Sequence, residues 1–593
     1  MGHCFRKRPL TTSQLNYYAE HLSELESEEE PFQESESEYI ESEEDTSSES
    51  DLDIPKRRKI DADENISSSN ILQNLIVSGT SSDEGGTSSD EDLDNTNTDI
   101  PVNAPGKQII LWKDVNDQFI PRMKIPDERN CTILGNLDRG SSELDIFLKL
   151  FPKSLFQYIA QCTNERLDIL EHAMKKQQKH TDSHEIMIVI GCLFIMSYNR
   201  VPAIHLYWSS NKSLGNEAIK LAISRDRFQL LNSKMYYNSP KKPNSASKLY
   251  YIEDVVCCLK KTFINARSEC AHQSIDESMA KFKGRSVLKQ YLPLKPIKRG
   301  IKIWQRCDSK TGYVYDFNIY AGKEPENTDG TLGERVVRKL TESIRESNVS
   351  LCFDRFFTSV NLLDTLKFPA VGTCIATRKN MPRFAKKKRN RGDIECMENQ
   401  NGTIGFLWKD TKEVMLLSNC HQNKAVEIGR RGKDGDKISL QCPEAIQFYN
   451  TNMGGVDLSD QLTELYDVDR KSLKWWKKVF YKLLLTAAVN AWIICKELRN
   501  KPSMPFLSFL VNLAEALISK GRENASVIRK RSYGRSNLSS KNLLNVGDHL
   551  PVMIPTRRRC KSCSQKKVEM RTKTMCSACN IPLCNKCFFS YHR

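Results

Sequence analysis

No stretch of the 593 residues reaches the run of about 20 apolar residues that a membrane span requires. The two longest apolar runs, IMIVIGCLFIM at 186–196 and LLLTAAVNAWIIC at 483–495, both fall short, so no membrane partner is expected. The opening MGHCFRKRPL is basic with no apolar stretch behind it, which argues against a secretory signal. Arg6 stands where a myristoylation signal needs Ser or Thr. No internal repeat is visible. Residues 21–54 contain no Lys or Arg but fifteen Asp and Glu. Without them the remainder is more basic than the formal net charge of +15 suggests, and a cationic body of that kind points to a polyanionic partner. Disulfides are not expected either. Six of the 20 cysteines fall in the last 34 residues in regular pairs and the rest are scattered, a pattern of metal ligation in a reducing compartment.

What is present divides the chain. Residues 1–105 are acidic and Ser-rich with no apolar periodicity, so they read as disordered. Within them PKRRKID at 55–61 is a basic cluster of the nuclear-import kind, which places the protein in the nucleus. A linker at 106–139 precedes a helical part at 140–270, which opens with SSELDIFLKLF: Ser and acids followed by apolar residues at helical spacing. Residues 271–379 read as strand (QSIDESMAKF), hairpin around DSKTG, helix, strand (NVSLCFD), helix and strand (FPAVGTC), giving a mixed α/β sheet with flanking helices. The basic RKNMPRFAKKKRNRGD at 378–393 reads as mobile, and 380–443 as an insertion containing a hairpin around KDTK. Residues 444–466 return to the core and 467–545 to helices. A basic linker spans 546–559, and the cysteine-rich tail spans 560–593.

Three acidic positions stand out. Asp276 lies in the first strand of the mixed sheet. Asp354 ends an apolar strand, where open α/β sheets place ligands. Asp457 and Asp460, in YNTNMGGVDLSDQ, share a helix face. Carboxylates are hard ligands suited to Mg²⁺. Converging carboxylates can hold two such ions about 3.5–4 Å apart, one activating a nucleophile and one stabilising the leaving oxygen of a phosphodiester. Each aspartate has a plainer alternative, as a turn or cap residue or, for the pair, as a dipole-compensating helix start. Glu277, Asp308 and Asp316 are assigned to surface or turn roles. Lys298, Arg299 and Lys474 are candidate DNA-phosphate contacts.

The pairs Cys560/Cys563, Cys576/Cys579 and Cys584/Cys587, with His592, are a zinc pattern. So small a module has too little core to fold without metal. One or two structural zinc ions are expected.

The segments SIDESMAKFKGR, YLPLKPIKRGIKIW, LCFDRFFTSVNLL, VGTCIATR and YNTNMGGVDLSDQL, with DIFLKLF, SRDRF and the cysteine tail, resemble those of the piggyBac transposases and their domesticated relatives. The resemblance implies an RNase H-like catalytic core with an insertion domain, flanked by helical DNA-binding and dimerisation parts. It also implies cut-and-paste transposition: hydrolytic nicking at the transposon end, attack of the freed 3′-hydroxyl on the opposite strand to form a hairpin, reopening, and joining at TTAA. By the same resemblance the catalytic aspartates are Asp276, Asp354 and Asp457, with Asp460 a further acidic position, and Trp475 is a tryptophan beside the site able to stack on an unpaired base. In the cross-brace scheme Cys560, Cys563, Cys584 and Cys587 share one zinc. Cys576, Cys579 and His592 share another, with its fourth ligand unassigned. The tail would recognise the terminal inverted repeats. The expected partners are double-stranded DNA and a second copy of the chain. A host-adopted copy that binds such DNA without moving it would carry the same motifs.

Overall fold

The structure is a computed structural model that describes residues 110–524 and 549–592, apart from Asp117, Lys176, Leu294, 323–329, 432–435 and Asp469. The acidic region 1–105, the basic cluster 55–61 and the basic RKRSYGR at 529–535 lie outside the described residues. The chain forms two units, one ending at Ala525 and the other beginning at Ser526.

The first unit is organised on one mixed sheet. Its strands are β1 (Trp112–Asp114), β2 (His272–Lys281), β3 (Lys289–Tyr291), β4 (Arg299–Asp308), β5 (Val314–Ile319), β6 (Ser350–Phe353), β7 (Ala370–Thr373), β8 (Ile394–Asn399), β9 (Ile404–Lys409) and β10 (Glu413–Ser418). The order is β1-β8-β9-β10-β7-β6-β2-β4-β3, and β5 also pairs with β4. β2 and β4 form an antiparallel pair, while β2, β6 and β7 run parallel. Parallel neighbours need crossovers. After the ten helices α1 (Glu143–Leu150), α2 (Lys153–Met174), α3 (Ser183–Tyr198), α4 (Glu217–Ala222), α5 (Arg225–Lys234), α6 (Tyr250–Ala266), α7 (Leu332–Thr341), α8 (Val360–Thr365), α9 (Glu444–Asn452) and α10 (Gly455–Leu465) are placed, α7 and α8 are the crossovers. β11 (Ala425–Arg431) and β12 (Lys437–Pro443) form a separate two-stranded ribbon between β10 and α9, and two long helices follow α10, α11 (Trp475–Arg499) and α12 (Phe506–Asn524).

Helix starts follow the local chemistry. Ser142 and Asp145 close a reciprocal capping box on α1, and Asp182, Ser224, Thr331 and Ser359 cap α3, α5, α7 and α8. The helical layer buries α3 on every side, and α12 crosses it closely at Gly191, where a Cβ would sit 2.7 Å from the Ile518 side chain and 2.9 Å from the Ala514 carbonyl. Helix α11 is 25 residues long, so by length and composition it passes as a span, beyond what the short apolar run suggested. Its apolar window is nearly all buried inside this unit, which is how a core helix meets the same test.

Two expectations are corrected. Asp308 has the turn role, its Oδ1 accepting from the Lys310 and Thr311 backbone N–H groups, but neither it nor Asp316 is a surface residue. Asp308 is buried against Arg267 at 2.9 Å, which also binds Glu497 at 2.7 Å, and Asp316 is buried against Lys260 at 3.1 Å. A carboxylate can be buried there because each one meets a cation. The segment read as mobile is pinned, with Arg389 bound to Glu395 at 2.9 Å and to Glu413 at 3.2 Å. Strands β8–β10, from the stretch read as an insertion, continue the main sheet through the β10–β7 pairing.

The second unit pairs β13 (Pro551–Arg559) with β14 (Arg571–Cys576) and adds α13 (Lys561–Gln565) and α14 (Asn585–His592). Its core consists of the buried Cys560, Cys576, Cys579, Ile581 and Leu583. That is too little apolar surface to hold a domain alone.

Candidate active site and metal clusters

Strand register brings the first two carboxylates together. Ile275 on β2 lies directly opposite Phe353 on β6 in the parallel pair, so the next residues, Asp276 and Asp354, are neighbours. The third arrives with α10, which docks onto the sheet at Gly455. A Cβ at that position would lie 2.5 Å from the Asp308 carbonyl and 2.6 Å from Ser274 Oγ. The double glycine before VDLSD is therefore the means by which a helix start comes within reach of β2 and β4.

Electrostatics show the three in one field. Burial pushes the Asp276 carboxyl up to about 8; Lys295 pulls it down, while the charges of Asp354 and Asp457 push it further up. Asp354 is also raised by burial, against the Phe356 backbone N–H that donates to its Oδ1 at 2.9 Å. Asp457 is raised by burial first, with Lys295 opposing and Asp460 and Glu277 adding to the rise. One buried and two half-buried carboxylates thus converge, with Lys295 as the nearest counter-charge. Lys295 Nζ is 3.9 Å from both Asp276 and Glu277, and the surrounding acids hold it protonated even though burial opposes its charge. Such an oxygen-only, under-neutralised donor set fits divalent cations of the magnesium class.

Asp460 stands apart. Its Oδ1 accepts from Lys482 Nζ at 2.7 Å and from Ser278 Oγ at 2.6 Å, so it ties α10 to α11 and β2. Asp460, expected as a further acidic position of the metal site, is thus held by a nearly buried ammonium. Glu277, read as a surface residue, is half-buried between Lys302 at 3.2 Å and Lys295, within the field of Asp354 and Asp457. Neither Glu277 nor Lys295 was distinguishable in the sequence, where both look like ordinary surface charges.

The expected DNA contacts separate. Lys298 and Arg299 are exposed, Arg299 lying over the Tyr291 ring at 5.4 Å. Lys474 is buried, 4.6 Å from the Tyr236 ring centroid and 5.7 Å from that of Trp476, which corrects its assignment as a phosphate contact. Trp476 is the core ring, stacked on Tyr251 at 4.5 Å. Trp475 is half-buried and edge-on to it at 6.0 Å, so of the two it is the ring with an exposed face.

In the tail the ligand pairs interleave. Cys560, Cys563, Cys584 and Cys587 form one cluster, with Sγ–Sγ separations of 3.8 Å (Cys563–Cys584) and 3.5 Å (Cys563–Cys587). Thiolates about 2.3 Å from a tetrahedral zinc lie roughly 3.8 Å apart, so this set can hold zinc. The second cluster supplies the missing fourth ligand: His549 joins Cys576, Cys579 and His592, with its Nδ1 2.9 Å from Cys579 Sγ. The sequence offered that signal, a histidine eleven residues before the first cysteine pair, in the stretch read only as basic linker. His592 Nδ1 donates to the Phe588 carbonyl at 2.9 Å, which leaves Nε2 to face the sulfurs.

A family model described as Transposase IS4 matches residues 142–492. Human piggyBac transposable element-derived protein 3 is 26% identical over 427 residues, 69% of this chain and 70% of that protein. Human piggyBac transposable element-derived protein 2 is 24% identical over 71% of this chain and 72% of its own length. A solved cryo-EM structure, the piggyBac transposase synaptic complex with hairpin DNA, is similar in fold with a TM-score of 0.62 at 23% identity, covering 77% of this chain and 97% of that one.

Proposed function

Because the chain belongs to the piggyBac transposase family, we propose that it is a metal-dependent DNA transposase whose reacting centre is formed by Asp276, Asp354 and Asp457. The observation that supports this most is the convergence of three carboxylates, one buried and two half-buried, from β2, the end of β6 and α10 around a single lysine. The sheet order β4-β2-β6-β7, with its antiparallel hairpin and two helical crossovers, supports an RNase H-like core. Two magnesium ions held there would supply Lewis-acid stabilisation of charge at a phosphodiester and a more acidic water. The chain's own residues do the rest. The three aspartates present oxygen donors from rigid elements. Lys295 offsets their repulsion and is free to turn to a phosphate once cations occupy the site. Asp460 and Lys482 fix the angle at which α10 delivers Asp457. Lys298 and Arg299 face solvent as phosphate contacts, and Trp475 offers a ring to an unstacked base.

On this reading water cuts one strand at the transposon end, the freed 3′-hydroxyl attacks the other strand to give a hairpin, and the reopened ends join at TTAA. The tail holds two structural zinc ions and reads the terminal repeats. A homodimer would hold both ends, and import through the 55–61 cluster would bring the protein to chromosomal DNA in the nucleus. Asp276→Asn should abolish Mg²⁺-dependent cleavage of a duplex carrying the flanking genomic ends while leaving its binding largely intact. Unchanged cleavage would refute the assignment.

A further inference from the structure

The basic segment between β7 and β8 meets the carboxylate site only at its first residue, where Arg378 donates to the Arg355 and Phe356 carbonyls beside Asp354, and the rest of it is firmly built. The Arg389 side chain is only 4% exposed; it donates to Glu395 at 2.9 Å, to Glu413 at 3.2 Å and to the Ala385 carbonyl at 2.6 Å. Arg391 binds Asp410 at 2.7 Å and the Arg431 carbonyl at 3.1 Å, which joins the segment to the β11–β12 ribbon. Lys387 also goes to Glu395, at 2.7 Å. Glu395, Glu413 and Asp410 are thus taken up by two arginines and one lysine, while Asp393 and Asp436 stay exposed beside them. Lys386, Lys388, Lys412, Arg431 and Lys437 remain exposed, without an ion pair among the described residues. Arg431 and Lys437 are directly paired across the ribbon.

Topology sets where this charge lies. β7 runs parallel to β6, and β10 runs antiparallel to β7. The start of β10, the end of β9 and the start of β8 therefore stand at the same end of the sheet as Asp354 and Asp276. Strands are spaced by about 4.8 Å, so β10 and β8 lie roughly 10 and 19 Å from β6. At about 3.4 Å per base pair, that distance is three to six base pairs of duplex.

We propose that Lys386, Lys388, Lys412, Arg431 and Lys437 form a phosphate-backbone platform for the duplex extending about three to six base pairs beyond the bond cut at the carboxylates. The platform rests on the DNA-cleavage reading given above. Flexible ammonium groups on a fixed base contact phosphates without reading base edges, so the platform holds flanking DNA of any sequence. Arg389, with its side chain almost enclosed, and the half-buried Arg391 act as positioning residues that keep the lysine-rich loop at the sheet end.

The test uses the full chain and a 30-base-pair duplex of fixed arbitrary sequence, with affinity followed by fluorescence anisotropy from about 50 to 200 mM salt. The triple variant K386Q/K388Q/K412Q should lose about tenfold or more in affinity near 100 mM salt. Its slope of log affinity against log salt should be shallower by about two to three. The corresponding triple arginine variant should keep both the slope and the affinity, which separates charge from damage to the loop. Hydroxyl-radical footprints on a cut duplex should lose protection three to six base pairs from the cut. An unchanged slope in the glutamine variant, or loss of protection elsewhere, would overturn the platform alone. A wild-type chain that binds no duplex would overturn the cleavage reading with it.

Discussion

Replacing Asp276 by Asn should make the metal-free protein more stable, and more so at higher pH. The Asp276 carboxyl sits at about 8 instead of the ordinary 3.8, because burial and the neighbouring Asp354 and Asp457 disfavour its charge. A carboxyl raised on folding favours the native state while it is protonated. That contribution is complete below about pH 4 and is lost as pH climbs toward 8. At about 1.4 kcal/mol per pH unit, the native state is penalised by roughly 1–2 kcal/mol at pH 5 and by at most about 4 kcal/mol at pH 7. The three carboxylates titrate as a group, so a realistic difference between the two pH values is about 2 kcal/mol. Urea unfolding in EDTA at pH 5 and pH 7 measures it. Asp276→Asn should gain little at the lower pH and about 2 kcal/mol at the higher, and Mg²⁺ should stabilise the wild type at pH 7 but not the variant. A variant less stable than wild type at pH 7, or one with an equal gain at both pH values, would refute the reasoning.

Lys482→Met would leave the half-buried Asp460 without its ammonium and should cost about 1–3 kcal/mol in chemical unfolding. Asp460→Asn should keep most of the affinity for Mn²⁺ while Asp457→Asn loses it; equal losses by calorimetry would place Asp460 among the ligands. Gly455→Ala pushes a methyl against the Asp308 carbonyl, so it should cost roughly 1–3 kcal/mol and slow cleavage, and an unperturbed melt would contradict the close docking of α10. His549→Ala should lower bound zinc from two ions per chain to one by elemental analysis, and two ions retained would remove His549 from the second cluster.

Much of this arrangement is visible in the residues. The apolar run VSLCF must be a buried strand, and a carboxylate directly after it stands at a strand end. Ser and Asp before apolar periodic runs mark helix starts, as at Ser142 and Asp182. Long-range pairing is a different matter. Nothing local to residues 394–418 states that β10 will pair with β7. Burial of Asp308 and Asp316 depends on Arg267 and Lys260, which lie tens of residues away in the chain. Lys474 looked like a phosphate contact because its neighbours are basic, but the aromatic rings of Tyr236 and Trp476 enclose it. Lys295 and Asp460 show the same limit: whether a charge is a ligand, a counter-ion or a strut depends on what the fold brings opposite it. His549 is different, since a histidine near the first cysteine pair was in plain view and only its distance from the pattern hid it.

The most direct test of the central claim is the position of Mn²⁺ in an anomalous difference map of crystals soaked at neutral pH. The account predicts peaks coordinated by Asp276, Asp354 and Asp457, with Asp460 still bonded to Lys482. A soaked crystal in which Mn²⁺ leaves those three carboxylates untouched would contradict it.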